Sequence, residues 1–237
     1  MVNTLDFSIL KEKDTWKSFG IAIVLFSIIG YSSLSLFGIS TSMYGISDDV
    51  KVTPDFIVPT MNRTGIDSLI DDDGDGMVKL SELRGSVVIL DFMAIDCSNC
   101  HLVQAHIDKN FDDWNNLQGE YPIVVLSIAS WYAIETYDNI NSTFGDENSN
   151  KYMRWPVANG GNDVIILEEG GGDILEYYNV RLPPYILVID HEGFAVSREN
   201  TGFPLDQWES FDSAVEMANI GEAEGLRFGL TKTDNSI

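Results

Sequence analysis

Basic side chains are scarce. Fourteen Lys and Arg stand against 37 Asp and Glu, and the formal charge is −23. A field of that sign repels phosphate backbones, so nucleic acid is not an expected partner. The acids are spread along the chain, which reads as a solvated surface whose self-repulsion salt can screen. Cysteine is scarcer still. The chain holds two, Cys97 and Cys100, both in one CxxC. A small disulfide-stapled scaffold needs more of them, set farther apart. No internal repeat is visible. Aromatic residues are not lacking: five Trp, nine Tyr and twelve Phe supply core volume for one domain, and wholesale disorder is excluded.

Charge is missing altogether from Ser18 to Ser47. Within that stretch residues 18–39 are long and apolar enough for one transmembrane helix, which needs about 20 residues. Lys11, Lys13 and Lys17 precede it, and Asp48 and Asp49 are the first charges after it. Positive charge stays inside, so the expected topology is a single pass at the cell membrane. Residues 1–17 would be cytoplasmic, 40–51 a linker, 52–218 an extracytoplasmic domain and 219–237 a tail. A cleaved signal peptide is the competing reading, but no Ala-x-Ala site follows the apolar run.

The domain opens with a short strand around Phe56. Asp71 to Gly76 signals a turn, with a second short strand at Val78. Val87 to Met93 is an apolar run broken by one acid, Asp91, as suits a strand buried on both faces. After the CxxC, Leu102, Val103, Ile107, Phe111 and Trp114 follow roughly helical spacing. Strands are expected at Ile123–Ile128 and Tyr185–Asp190, the latter turning at His191–Gly193 into a hairpin. Short helical pieces are expected at 173–178 and a last amphipathic helix at 205–218.

Two Cys three positions apart read as redox, metal or haem chemistry. A strand leading into a CxxC that opens a helix suits the first. The sulfur of Cys97 would sit over unpaired helix N–H groups, which stabilise a thiolate. Cys97 would then attack a partner disulfide and Cys100 resolve the mixed species.

Leu90-Asp-Phe-Met-Ala-Ile-Asp-Cys-Ser-Asn-Cys100 resembles the active-site strand of thioredoxins. Val78 to Val88 and Val180-Arg-Leu-Pro-Pro184-Tyr to Gly193 resemble the membrane-tethered TlpA/ResA branch of that family. The likeness covers about residues 52–218. It implies a thioredoxin-like three-layer α/β sandwich with a central mixed sheet, beside the N-terminal membrane helix. It implies a thiol–disulfide oxidoreductase with no cofactor. Its partners would be extracytoplasmic protein thiols and disulfides and a membrane electron donor of unknown identity. It implies that Cys97 and Cys100 form the redox-active disulfide, that Pro184 is the cis-proline facing them, and that Asp91 is the buried acid that takes a proton from Cys100. Two departures bear on redox direction. Asp96 replaces the usual Trp before the first Cys, and Ser98-Asn99 replaces Gly-Pro or Pro-Pro. A carboxylate beside Cys97 opposes its thiolate, which favours a reducing role.

Other readings share these residues. A thioredoxin-fold binder without catalysis, or one carrying a metal, would use the same surface. Cys97 to His101 also spells the c-type haem attachment string CxxCH. His101 and His106, five apart, would point in different directions on a helix. Asp71, Asp73, Asp75 and Glu82 match the spacing of a calcium loop, though no long helix is expected before them, and a solvated turn is the plainer reading. Asn62 and Asn141 begin glycosylation sequons.

Overall fold

The computed structural model describes residues 46–47, 49–71, 73–130, 135–160, 165–166, 174–199 and 208–230. The expected membrane span at 18–39 lies outside them. Among the described residues no helix is long and apolar enough to cross a membrane.

A five-stranded mixed sheet organises the domain. Its central strand is β4, Val87–Met93, and every one of its seven residues is buried. Branched and aromatic side chains favour the pleat, and burial on both faces removes the usual polar alternation. Strand β5 (Ile123–Ala129) pairs parallel to β4 in register, Asp91 opposite Ser127. Strand β6 (Val157–Asn159) extends that parallel edge. On the other side β8 (Tyr185–Ile189) runs antiparallel, Tyr185 opposite Phe92, and β9 (Ala195–Glu199) returns as its hairpin partner. The spatial order is β6-β5-β4-β8-β9.

Alternate residues of β4 feed two separate cores. Val87, Ile89 and Met93 pack with Val103, Ile107 and Trp114 of helix α1 (Ser98–Asn116). Phe211 and Val215 of helix α4 (Glu209–Asn219) complete that layer. Val88, Leu90 and Phe92 face the opposite way, against Phe56, Val78 and Tyr178. Those come from β2 (Phe56–Pro59), β3 (Met77–Lys79) and the turn after the short helix α3 (Ile174–Tyr177). Burying a side chain such as Phe92 or Ile89 contributes about 1.5–3 kcal/mol, so the alternation of β4 sets both layers. Strand β2 pairs with β3 and with β7 (Ile165–Ile166) in a second, three-stranded sheet.

Several expectations need adjustment. Leu102 is 53% exposed, because the inner face of α1 is taken by Cys100, Val103, Gln104, Ile107 and Trp114. The last helix spans Glu209–Asn219, and the expected residues 205–207 lie outside the described set. A short helix α2 (Tyr137–Ile140) runs into a wide turn at Asn141–Gly145. Arg63 anchors the segment beyond it, donating to the carbonyls of Met153 and Trp155 while paired with the buried Asp67. Two short strands lie outside residues 52–218. Strand β1 (Ile46–Ser47) pairs antiparallel with β10 (Gly229–Leu230), and Phe228 N–H donates to Ala195 O on the main sheet.

Candidate active site

Strand β4 ends at Met93, and a tight passage through Ala94–Asp96 delivers Cys97 to the start of α1. Cys97 is the N-cap of that helix in extended conformation. Its Sγ accepts the N–H of Cys100 at 3.1 Å, which satisfies one of the helix's unpaired donors. The two sulfurs are joined as a disulfide, with Cα atoms 5.2 Å apart. Cys97 keeps 9% of its surface exposed and Cys100 none. Cys97 is therefore the less enclosed of the pair, and Cys100 packs wholly within the core.

The passage into Cys97 is braced by its backbone. Ile95 N–H donates to Glu135, a buried carboxylate. Ile95 O accepts both Lys151 Nζ and His101 Nε2, each at 2.9 Å. Asp96 next to it is exposed. On the far side, the Pro183–Pro184 peptide is cis. Tyr185 pairs with Phe92, so Pro184 lies one step further, level with the end of β4 where the Cys97 passage begins.

Asp91 lies on the α1 side of β4 with none of its surface exposed. Ser127 Oγ donates to its Oδ2 at 2.8 Å, and Trp155 Nε1 donates to Ser127 Oγ at 2.8 Å. Burial pushes the Asp91 carboxyl up to about 7, while the Ser127 hydroxyl and the Gln104 amide pull the other way. A carboxyl titrating there can take up and give back a proton near neutrality. Sequence reasoning found Asp91, but not Ser127, Trp155 or Gln104. Only Gln104 had a local signal, lying one helical turn beyond Cys100.

The other expected candidates are placed differently. His106 is remote from the sulfurs: it bonds Asp212 Oδ1 at 2.7 Å and stacks on Trp208 at 3.8 Å. Both ring nitrogens of His101 are engaged, by Ile95 O and by Gln104 Oε1. Asp71, Asp73 and Asp75 bring carboxylate oxygens within 4.8 Å of one another, and Glu82 lies outside that group. Their oxygens accept backbone N–H groups of the turn itself. Asp71 takes Gly74 and Gly76, Asp73 takes Asp75, and Asp75 takes Met77. The Gly76 N–H in particular holds the Asp71 carboxyl below its usual range. Glu82 accepts Lys79 N–H instead. Asn62 and Asn141 are both exposed.

No protein-family model matches the chain, and no curated protein matches it. Solved structures do. A candidate thioredoxin from Neisseria meningitidis superposes with a TM-score of 0.50 at 16% identity, over 72% of this chain and 91% of that one. The thioredoxin domain of a thiol-disulfide oxidoreductase from Bacteroides vulgatus gives 0.46 at 19%, over 70% and 96%. A candidate thiol:disulfide interchange protein DsbE from Chlorobium tepidum gives 0.46 at 19%, over 71% and 98%. The first likeness, with the sheet order above, defines the class: this is a thioredoxin-like α/β fold. Within that class the chain is one that carries a cysteine-pair disulfide at the head of helix α1.

Proposed function

We propose that the chain is a thiol–disulfide oxidoreductase acting on protein thiols and disulfides. The observation that carries this reading is the Cys97–Cys100 disulfide at the N-terminus of α1, with Cys97 the less buried of the two and a buried acid on the adjoining strand. In the reduced form the Cys97 thiolate attacks a partner disulfide, and one partner sulfur leaves as thiolate. Asp91 accepts the Cys100 proton, and the Cys100 sulfur attacks Cys97 Sγ. That forms the internal disulfide and releases the second partner thiol, two electrons having passed to the partner. A dithiol donor must then restore the pair. Asp96, the residue before Cys97 in the chain, favours work as a reductant.

The same reading places the domain outside the cytoplasm on a membrane helix at 18–39. It is supported by the uncharged run and by the lysines before it. Its partners would be extracytoplasmic proteins and a membrane electron donor.

Insulin reduction with dithiothreitol as donor tests the activity. The parent should accelerate it and Cys97→Ser should not; equal rates would leave a binding protein. Carbonate washing of membranes and protease added outside test the anchor. Release of the chain, or protection of the domain, would overturn the topology.

A further inference from the structure

The turn that presents Cys97 is held from outside the strand and helix it joins. Cys97 N–H donates to Ala94 O at 3.3 Å, which closes a four-residue turn with Ile95 and Asp96 at its centre. The Ile95–Asp96 peptide is the one that can turn over in such a structure. Turned over, it would need a positive φ at Asp96, a conformation that Asp tolerates better than most residues. Among the described non-glycine residues only Asn62 and Asn179 have one, so Asp96 does not.

Both backbone polar groups of Ile95 are engaged in that orientation. Its N–H donates to Glu135 Oε1. Its oxygen accepts Lys151 Nζ and His101 Nε2, each at 2.9 Å. Glu135 is 5% exposed and precedes α2, while Lys151 lies between the wide turn at Asn141–Gly145 and β6. Neither belongs to β4 or α1. The chain that crosses from β5 to β6 thus reaches back to grip a residue two positions before Cys97.

In the disulfide form the S–S bond itself fixes Cys97 against Cys100. Once that bond opens, the turn and the Cys100 N–H on Cys97 Sγ are what keep Cys97 at the N-cap. A turn free to move therefore costs the reduced form more than the oxidised one. We propose that Glu135 and Lys151 form a clamp on Ile95 that keeps the reduced Cys97 at the N-cap of α1, and so raises the reduction potential of the pair. Both are positioning residues that act through the Ile95 backbone. The N-cap stabilises the attacking thiolate, so the clamp also keeps Cys97 ready for exchange; that use rests on the oxidoreductase reading.

Equilibration of the full-length chain with glutathione measures the potential without a protein partner. Lys151→Met and Glu135→Leu should each lower it, by about threefold to tenfold in the equilibrium constant, or about 15–30 mV at about 30 mV per tenfold. Lys151→Arg keeps a donor and Glu135→Gln keeps an acceptor, and both should stay near the parent. A plain charge effect predicts otherwise: loss of the lysine and loss of the carboxylate would move the potential in opposite directions, and Glu135→Gln would raise it. Shifts of opposite sign overturn the clamp. So does a fall in stability with an unchanged potential, which would make the contacts structural only. If Glu135→Leu does not fold, Lys151→Met against Glu135→Gln still decides. The oxidoreductase reading fails separately, if the parent equilibrates with glutathione but does not reduce insulin.

Discussion

Ser127 holds Asp91 from the neighbouring strand: the two are partners in the parallel β4–β5 ladder, and the hydroxyl donates to Oδ2 at 2.8 Å. That hydroxyl is in turn fixed by the indole N–H of Trp155. The buried acid thus has a fixed orientation on one oxygen and none on the other.

Stability should fall as pH rises through the titration of Asp91. The folded acid keeps its proton up to about 7, while the unfolded one loses it near 3.8. Between those values the folded state binds the extra proton, so alkali favours unfolding across that window and the effect levels off above it. The ceiling is about 4 kcal/mol. Asp91→Asn should flatten the profile. Denaturant titrations at several pH values, disulfide intact, read this directly; parallel curves for parent and variant would refute it.

Ser127→Ala should move the Asp91 midpoint further upward, since it removes a donor that favours the charged form. It also strands the Trp155 indole, at a cost of about 1–3 kcal/mol. Carboxyl NMR gives the midpoint and a melting curve gives the cost. A downward shift would mean that the hydroxyl stabilises the neutral acid instead.

After reduction, iodoacetamide should modify Cys97 well before Cys100. The exposure difference and the N-cap position of Cys97 both point that way. Peptide mapping of singly alkylated protein decides it, and Cys100 as the main product would reverse the assigned roles.

Asp96→Asn should lower the Cys97 pKa and raise the reduction potential by a few tens of millivolts, since about 30 mV corresponds to 1.4 kcal/mol in a two-electron couple. Added salt should shrink the difference. Equilibration with glutathione measures it. An unchanged potential would make Asp96 surface charge only.

Gly193→Ala should destabilise the β8–β9 hairpin by about 1–3 kcal/mol, since φ here is +93° and a side chain is strained there. The added methyl would also land on the Arg84 guanidinium, which donates to Glu192 O. Thermal unfolding of the variant checks this; a loss below a few tenths of a kcal/mol would show that Arg84 and the turn yield freely.

What could be read along the chain is what depends on neighbours in sequence. The apolar run at Val87–Met93, the helix opening at Cys97 and the Pro-Pro-Tyr passage each announce themselves within a dozen residues. Asp91 was legible because an acid inside such a run has few explanations. Its surroundings were not. Trp155 reaches Ser127 across 28 residues, and Arg63 meets Met153 across 90. Hydrogen bonds closed over such loops leave no periodicity. The ladder of Ile46–Ser47 with Gly229–Leu230 was hidden for a related reason: two residues carry no alternation to detect. His101 illustrates a different limit. Its position in the first helical turn was plain, but whether its ring turned to sulfur or to Ile95 depended on rotamers.

The pairing of Ile46 with Leu230 puts the domain's two ends side by side, about one strand spacing or 5 Å apart. A protein so arranged enters and leaves at one pole. A tag, fluorophore or second domain fused after residue 230 would be carried to the neighbourhood of residue 46. A short peptide joining those ends would close the domain into a ring, and new ends could be opened at an exposed turn elsewhere.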